Sequence, residues 1–312
     1  MAIRIHTDHL LPEKTEDAPH STADNVPLAA ALMLFSSVFF VGVAALVKLA
    51  ATEATSMQAV LFRSVFSAAP ILAIMHLRQI PTTSNRIGLL VFRGTVGFIA
   101  LSCYLWAITQ VGLADVLALQ QLSPMFVAFL SVLLLHERPR RVHYVLAGVC
   151  MIGALLVVQP TRGIASLPAT MALLSALFSS GAYVAVRSLT RTEPTLRIVL
   201  WFSGVAALLS LPLVIPGWSM LSLRTSLLLI GCGLVAAVAQ YLMTAAYRLA
   251  PAHIASAFSY TSVPIAYVAG LWFWQEQPNS WANLGIVIIT LTGIVIVYSM
   301  RPPRHFVVPK VS

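Results

Sequence analysis

Two arginines lie inside strongly apolar stretches of the chain, where a charge is unexpected. Arg93 stands in VFRGTVG and Arg63 in LFRSVFS. A guanidinium stays charged and offers a planar fork of donors that matches a carboxylate or a phosphate. Arg93, Gly97 and Tyr104 are spaced at i, i+4 and i+11, so they share one helical face. We predict that this face lines a polar site. The alternative for either arginine is that its side chain extends along the helix to the nearest polar surface.

Two further stretches carry dense polar runs that end at a proline. Gln120, Gln121 and Pro124 belong to LQQLSP, and Tyr260 and Pro264 belong to SYTSVP. A proline inside a helix frees the carbonyl four residues earlier, here that of Gln120 or of Tyr260. We predict that the two glutamines and Tyr260 border the polar site and that both prolines are bending points that gate it. A packing kink without a further role is the alternative.

Three more polar side chains recur at helical spacing and are predicted to line the same site. Ser37 shares a face with Phe40. Tyr183 continues the spacing of Ser175 and Ser179, and Gln240 belongs to the stripe Gly233, Ala237, Gln240, Thr244 and Tyr247. Small residues in such stripes also permit close helix packing. Gln240 is harder to explain in that way, because its amide has two donors and an acceptor to satisfy.

The elements that must position these residues are membrane-spanning helices. Of the 312 residues 59% are hydrophobic and 9% are charged, whereas a soluble domain carries about 25% charged residues. A span requires about 20 mostly apolar residues. Such segments occur at 27–50, 57–77, 86–109, 113–135, 142–159, 166–188, 196–216, 224–247, 252–274 and 281–300. The sequence therefore predicts an all-α integral membrane protein of ten transmembrane helices, with a disordered tail at 1–25 and a second tail at 301–312.

The chain also repeats itself with a shift of about 139 residues. Gly94 recurs as Gly233. Glu137 recurs as Glu276, and both glutamates are followed by a proline two residues later. Five spans per unit oblige the second copy to enter the membrane from the opposite side. We predict two inverted five-helix repeats, at 26–160 and 161–300, an arrangement that in secondary transporters places the substrate site between the halves.

The placement of positive charge predicts the orientation. With both termini in the cytoplasm, cytoplasmic segments hold 14 of the 19 Lys and Arg residues, and the opposite side holds Lys48, Arg162 and Arg224. This asymmetry follows the positive-inside rule. The charge is spread over short loops rather than gathered in one patch, which argues against a nucleic-acid partner.

The segments that end the fourth and ninth spans carry a family resemblance. LLLHERP (133–139) and LWFWQEQP (271–278) are each followed by a glycine-containing span, GVCMIGALLVV (148–158) and LGIVIITLTGIVIV (284–297). Together with residues 107–135 they resemble the two EamA-type modules of the drug/metabolite transporter superfamily. The resemblance covers about residues 27–300. It implies a ten-span carrier of small metabolites whose cavity is lined by spans 1, 3, 4, 6, 8 and 9.

We therefore expect a secondary transporter of a small polar metabolite, anionic or neutral, in the bacterial inner membrane. Export by alternating access is favoured, and uptake of the riboflavin or S-adenosylmethionine type is the alternative. Lipid is the surrounding partner, a homodimer is left open, and neither a cofactor nor a metal is expected.

Other chemistries find less support in the sequence. No Asp or Glu lies in the middle of a span, which disfavours a buried proton relay and leaves Asp115, His136 and His253 as peripheral candidates. An intramembrane enzyme needs a paired nucleophile and base or a metal cluster, and the predicted spans offer only scattered Ser, Thr and Tyr in their middle parts. A non-transporting scaffold would not need polar stripes in both halves. Both remain minor alternatives. The three cysteines are interpreted as packing residues.

Overall fold

The computed structural model describes residues 25–110, 116, 119–137, 140–158, 167–266, 268 and 280–299. Within these ranges all regular secondary structure is helical. The α-helices are α1 (Val26–Ala50), α2 (Ser56–Leu77), α3 (Ile87–Gln110), α4 (Ser123–Leu135), α5 (Arg141–Val158), α6 (Leu167–Leu189), α7 (Thr195–Val214), α8 (Leu223–Leu249), α9 (Ala252–Ala257) and α10 (Ser280–Ser299). Short 3₁₀ turns follow α7 at Ile215–Gly217 and α9 at Phe258–Thr261.

Polar caps outside the apolar segments determine where several helices begin. Asn25 accepts the Leu28 N–H at the start of α1, and Thr55 and Gln58 form a reciprocal capping box at the start of α2. The helices other than α4 and α9 begin and end within two residues of the predicted segments. The agreement is expected because an apolar run long enough to cross a bilayer must satisfy its backbone within the helix.

The outer surface of the bundle is apolar, as a lipid environment requires. Among the described residues, six helices are long and apolar enough to cross a membrane: α1, α2, α3, α6, α8, and α7 with its 3₁₀ turn. Shorter apolar helices lie within α4, α5 and α10. Large apolar side chains point outward, including Phe35, Val145 and Leu208, each more than half exposed. Water would solvate these side chains poorly, whereas lipid tails would solvate them well.

The fourth and ninth predicted spans are broken helices rather than kinked ones. Residues 119–120 are helical, Gln121 and Leu122 form a turn, and α4 begins at Ser123 with Pro124 in its first turn. In the ninth span, the break is a change of helix type: the 3₁₀ turn at Phe258–Thr261 separates α9 from helical residues 262–266, which include Pro264. The predicted interior kink is therefore wrong for Pro124, which lies in a first turn, where a missing N–H is tolerated. At Pro264 the kink stays a prediction.

The two halves pack against each other in matching pairs of helices. Adding 139 to the residue numbers of one pairing gives the other pairing. The α1 helix packs against α8 as α3 packs against α6, and α2 against α8 as α3 against α7. Two glycines form matching close crossings: a Cβ on Gly94 would lie 2.7 Å from Val205, and a Cβ on Gly233 would lie 2.5 Å from Phe66. Val205 stands 139 residues after Phe66. Each repeated glycine thus packs against the equivalent position of the other half.

Polar contacts bring the loops predicted to be cytoplasmic to one end of the bundle. Arg86, in the 78–86 loop, donates to Thr192 in the 189–197 loop at 3.3 Å. The Asn25 N–H donates to the Leu249 carbonyl at 2.8 Å, which brings the start of α1 to the end of α8. Arg187, near the end of α6, donates to the Tyr247 and Arg248 carbonyls at the end of α8 at 3.0 Å, so these segments share one end of the bundle.

The loops before α2 and α8 meet at the other end. The Glu53 carboxylate accepts the Ser222 N–H at 3.0 Å and the Thr225 hydroxyl at 2.8 Å. The Ser222 and Thr225 hydrogen bonds hold the pKa of Glu53 below its ordinary value. Opposite ends of the bundle are thus closed by separate polar networks.

Candidate functional site

Arg93 lies in the protein interior between the two halves. Its side chain projects from α3 and is 2% exposed, with its Cζ atom 4.2 Å from the centroid of the Phe202 ring on α7. One Nη atom donates to the Gln240 Oε1 on α8 at 3.5 Å, while Nε and the other Nη have no hydrogen-bond partner. A side chain that extended to the headgroups would expose its guanidinium instead. The structure therefore supports the interior interpretation of Arg93.

Arg63 is a second buried guanidinium beside the same aromatic ring. It projects from α2, is 4% exposed, and has its Cζ atom 5.7 Å from the Phe202 centroid. Its Nε has no hydrogen-bond partner. Among the described residues, the ion pairs involve neither Arg63 nor Arg93. Sequence reasoning left Arg63 out of the site, although Phe202 stands at its repeat position and could have indicated that the two side chains meet.

Gly97 provides the space in which the Arg93 guanidinium lies. A Cβ built on Gly97 would overlap the Arg93 Nη1 atom and lie 2.8 Å from Cε2 of Phe202. On the predicted face of Arg93, Gly97 and Tyr104, the missing side chain of Gly97 therefore allows the Arg93 guanidinium to lie over the Phe202 ring. Tyr104 is half-buried and packs among the apolar residues further along α3.

Aromatic and amide groups complete the surroundings of Arg93. Gln240 is 6% exposed, and its amide oxygen faces the guanidinium. Tyr183 on α6 stacks on Tyr247 of α8, with ring centroids 5.6 Å apart. The structure thus brings Arg93 and Gln240 into contact, and the joint role of Arg93, Gln240 and Tyr183 in one site stays a prediction.

Three of the predicted site residues, Gln120, Gln121 and Ser37, form hydrogen bonds between helices of different halves. Gln120 accepts from the Ser175 hydroxyl at 3.0 Å and donates to Ser179 at 3.2 Å. Ser37 accepts from the Thr261 hydroxyl at 3.3 Å. The Gln120 and Thr261 contacts correspond to each other in the two halves. Each joins a broken span of one half to the first helix of the other half. Gln121 donates to Ser262 and so joins the two broken spans at 3.4 Å.

Tyr260 occupies a different environment from Arg93. It is fully buried in an apolar cluster with Cys150 and Ala154 of α5 and Ile289 of α10. Its hydroxyl has no hydrogen-bond partner. The Ser262 N–H contacts the Tyr260 carbonyl, so that carbonyl is not free as the proline rule predicted. A role of Tyr260 and the two prolines in binding or gating stays a prediction.

Glu137 stabilises the start of α9. Its carboxylate accepts the Ala252 N–H at 2.9 Å and contacts the His253 Nδ1 at 2.7 Å, and Arg187 of α6 lies 3.7 Å away. The carboxylate therefore caps α9, a helix of the other half of the chain, rather than α5, the helix that follows Glu137 in the sequence. Burial raises the pKa of Glu137, but the His253 and Ala252 hydrogen bonds and the neighbouring positive charges outweigh it, so the pKa lies below its ordinary value.

The other peripheral candidates add little to this network. His136 ends α4 in the left-handed backbone conformation, and the His143 and His253 rings are tilted against each other with centroids 5.3 Å apart. Asp115 and Glu276 lie outside the described residues. Within the described part of the chain, His, Cys, Asp and Glu do not gather in groups of three or more that could hold a metal ion.

Comparison with known proteins gives the class to which this architecture belongs. The chain is 33% identical to the pseudopaline exporter CntI of Pseudomonas aeruginosa over 85% of its own length and 94% of that protein. It is 26% identical to a riboflavin transporter of Vibrio cholerae, over 72% of this chain and 76% of that protein. A crystal structure of another protein shares the fold with a TM-score of 0.72 at 17% identity, covering 86% of this chain and 97% of that one. Residues 27–159 and 166–299 each match the EamA-like transporter family, and the chain therefore belongs to that family of membrane transporters.

Proposed function

We propose that this protein is a secondary transporter that exports a small anionic metabolite across the bacterial inner membrane. Ten spans form two inverted halves, 26–160 and 161–300, with both termini in the cytoplasm. The substrate binds beside Arg93, between the halves, and is released by alternating access. The observation that carries the proposal is the buried Arg93 guanidinium, which has no anionic partner among the described residues.

The energetic argument begins with the cost of a charge in this position. An arginine at membrane depth costs about 2.5–3.5 kcal/mol on insertion scales, and such residues usually mark a substrate pathway or pair with another group. The Phe202 ring offsets part of this cost, since cation–π contacts contribute about 0.5–2 kcal/mol. A neutral amide, Gln240, offsets little more. An anionic substrate would supply the missing charge.

Matching contacts in the two halves support the inverted repeat and a transport cycle. The Gly94 and Gly233 crossings are related by the same shift, and each broken span bonds to the first helix of the other half. Interrupted helices near the midplane are a common feature of secondary transporters, since irregular backbone there lines a cavity or is buried in protein. The breaks before Pro124 and Pro264 are the points at which we expect the halves to flex.

The relatives favour export, and the distribution of positive charge favours cytoplasmic termini. The exporter shares more residues with this chain, over more of its length, than the riboflavin transporter does. Uptake is the second candidate, favoured by the riboflavin transporters among the relatives. The loops that carry most of the positive charge meet at one end of the bundle, which the positive-inside rule assigns to the cytoplasm.

The test starts by finding the transported compound. Medium and extracts of cells that express the protein, and of cells that carry an empty vector, are compared by untargeted metabolomics. The compound whose distribution changes is then followed in proteoliposomes. We expect it to be anionic and Arg93→Gln to lower its flux at least about tenfold, since a charged hydrogen bond contributes about 1.5–3 kcal/mol.

Two further variants make the result specific. Arg93→Lys should recover only part of the flux, because lysine offers a point charge without the planar fork. Arg78→Gln removes an exposed arginine and should leave the flux unchanged. Unaltered flux through Arg93→Gln, with the protein correctly inserted, would overturn the proposal.

A further inference from the structure

The two buried guanidiniums form an asymmetric pair at the junction of the halves. Arg63 and Arg93 belong to α2 and α3 of the first half, and both lie beside Phe202 of the second. The positions 139 residues after them are Phe202 and Cys232, both buried and neither charged. The first half therefore presents two positive charges, and the matching positions of the second half present none.

We infer that the substrate carries two negative charges, one for each guanidinium, on two carboxylates or on one phosphate group. This inference rests on the proposed function, because it assumes that the substrate binds beside Arg93. Arg63 then becomes a substrate-binding residue that determines specificity, and Phe202 packs between or beside the two ion pairs.

Charge balance is the first step of the argument. A buried ion without a partner is costly, and removal of one member of a buried pair leaves the other uncompensated. A substrate with one acidic group would neutralise one guanidinium and leave the second buried beside an aromatic ring. Two acidic groups would neutralise both.

The free donors are the second step. Each guanidinium has five N–H donors in a fixed fork. Arg93 uses one of them on Gln240, and Nε of both arginines is buried without a partner. A bound acidic group would give the buried Nε of Arg63 the acceptor that it lacks.

The shape of the pair is the third step. The two Cζ atoms lie 4.2 and 5.7 Å from one ring centroid, so they cannot be farther apart than these two distances combined. This upper bound is within the span of a small molecule with two acidic groups.

The test compares three probes that differ in charge on the purified full-length protein. Glutarate carries two carboxylates, its monoamide glutaramate carries one, and inorganic phosphate at pH 8 is a dianion. Binding is measured by thermal stabilisation in detergent for the wild type, Arg63→Gln, Arg93→Gln and the control Arg78→Gln. Size-exclusion profiles confirm that each variant is folded.

We expect glutarate or phosphate to bind the wild type at least about tenfold more tightly than glutaramate, since each charged hydrogen bond is worth a factor of that order. Arg63→Gln should remove this preference and leave the affinity for glutaramate within about threefold. Arg78→Gln should behave as the wild type. Tighter binding of phosphate than of glutarate would assign both charges to one phosphoryl group.

Two other results separate the inference from the proposed function. Equal wild-type affinity for glutarate and glutaramate, with both weakened by Arg93→Gln, would overturn the dianion and leave an anion site at Arg93. Binding that neither arginine variant weakens, or no binding of any probe, would count against both.

Discussion

Gly97→Ala tests whether the position of the Arg93 guanidinium matters for function. The added Cβ would overlap the Arg93 Nη1 atom and approach Cε2 of Phe202 to 2.8 Å. Ordinary contacts require about 3.5–4 Å, so the guanidinium must withdraw by about 1 Å or more. The substitution leaves the Arg93 and Phe202 side chains chemically intact and displaces the Arg93 guanidinium.

The expected magnitude follows from the contacts that are lost. The cation–π contact contributes about 0.5–2 kcal/mol and a charged hydrogen bond to substrate about 1.5–3 kcal/mol. If the displacement removes roughly half of their sum, about 1–2.5 kcal/mol, the affinity for the transported anion should fall about fivefold to seventyfold. Stability should change less, because overpacking costs about 1–3 kcal/mol while alanine in place of glycine returns about 0.5–1 kcal/mol in a helix.

The control for this variant lies on the neighbouring helix. Gly204 stands two residues after Phe202 on α7, and a Cβ on it would meet nothing within 4 Å. Gly204→Ala should therefore leave the affinity unchanged and raise the melting temperature slightly, since alanine returns about 0.5–1 kcal/mol in a helix. Concentration dependence of flux in proteoliposomes measures the affinity. If Gly97→Ala and Gly204→Ala transport the anion equally well, the placement of Arg93 over Phe202 has no part in binding.

Three further predictions concern the rest of the bundle. Because the pKa of Glu137 is lowered below its ordinary value of 4.5, its stabilising contribution is complete above that pH and is lost as the pH falls through the folded pKa. Glu137→Gln should lower stability by on the order of 2 kcal/mol at pH 7, and the difference from the wild type should shrink below pH 4.5; a pH-independent difference in melting temperature would contradict this assignment. A cysteine at position 191, in a variant without native cysteines, should react with an impermeant thiol reagent only from the cytoplasmic side. Pro124→Ala and Pro264→Ala should each lower the maximal rate more than the apparent affinity, and an unchanged rate in both would remove the breaks from the transport cycle.

Most helix positions were predictable because hydropathy and length act locally. The α1 helix follows from one apolar run that begins after a polar cap at Asn25, and no distant contact is needed to locate it. The broken spans were less predictable. Pro124 is compatible both with a kink inside a helix and with a helix start, and only the turn at Gln121 and Leu122 decides between them.

The site was predictable in part for the same reason. Arg93 and Gly97 share a face that helical spacing reveals, but the direction in which Arg63 points depends on the packing of α2 against α7. The partner of Glu137 was not predictable, since the Ala252 N–H lies 115 residues away along the chain. Local spacing carries no information about which helix start a carboxylate will reach.

The most direct measurement of the central claim is the structure of the protein with its transported anion bound. We predict an acidic oxygen of the substrate within about 3.2 Å of a guanidinium nitrogen of Arg93, and a second acidic oxygen at Arg63, with Phe202 against the ligand. An anion bound elsewhere, with both guanidiniums still lacking an anionic partner, would contradict the account.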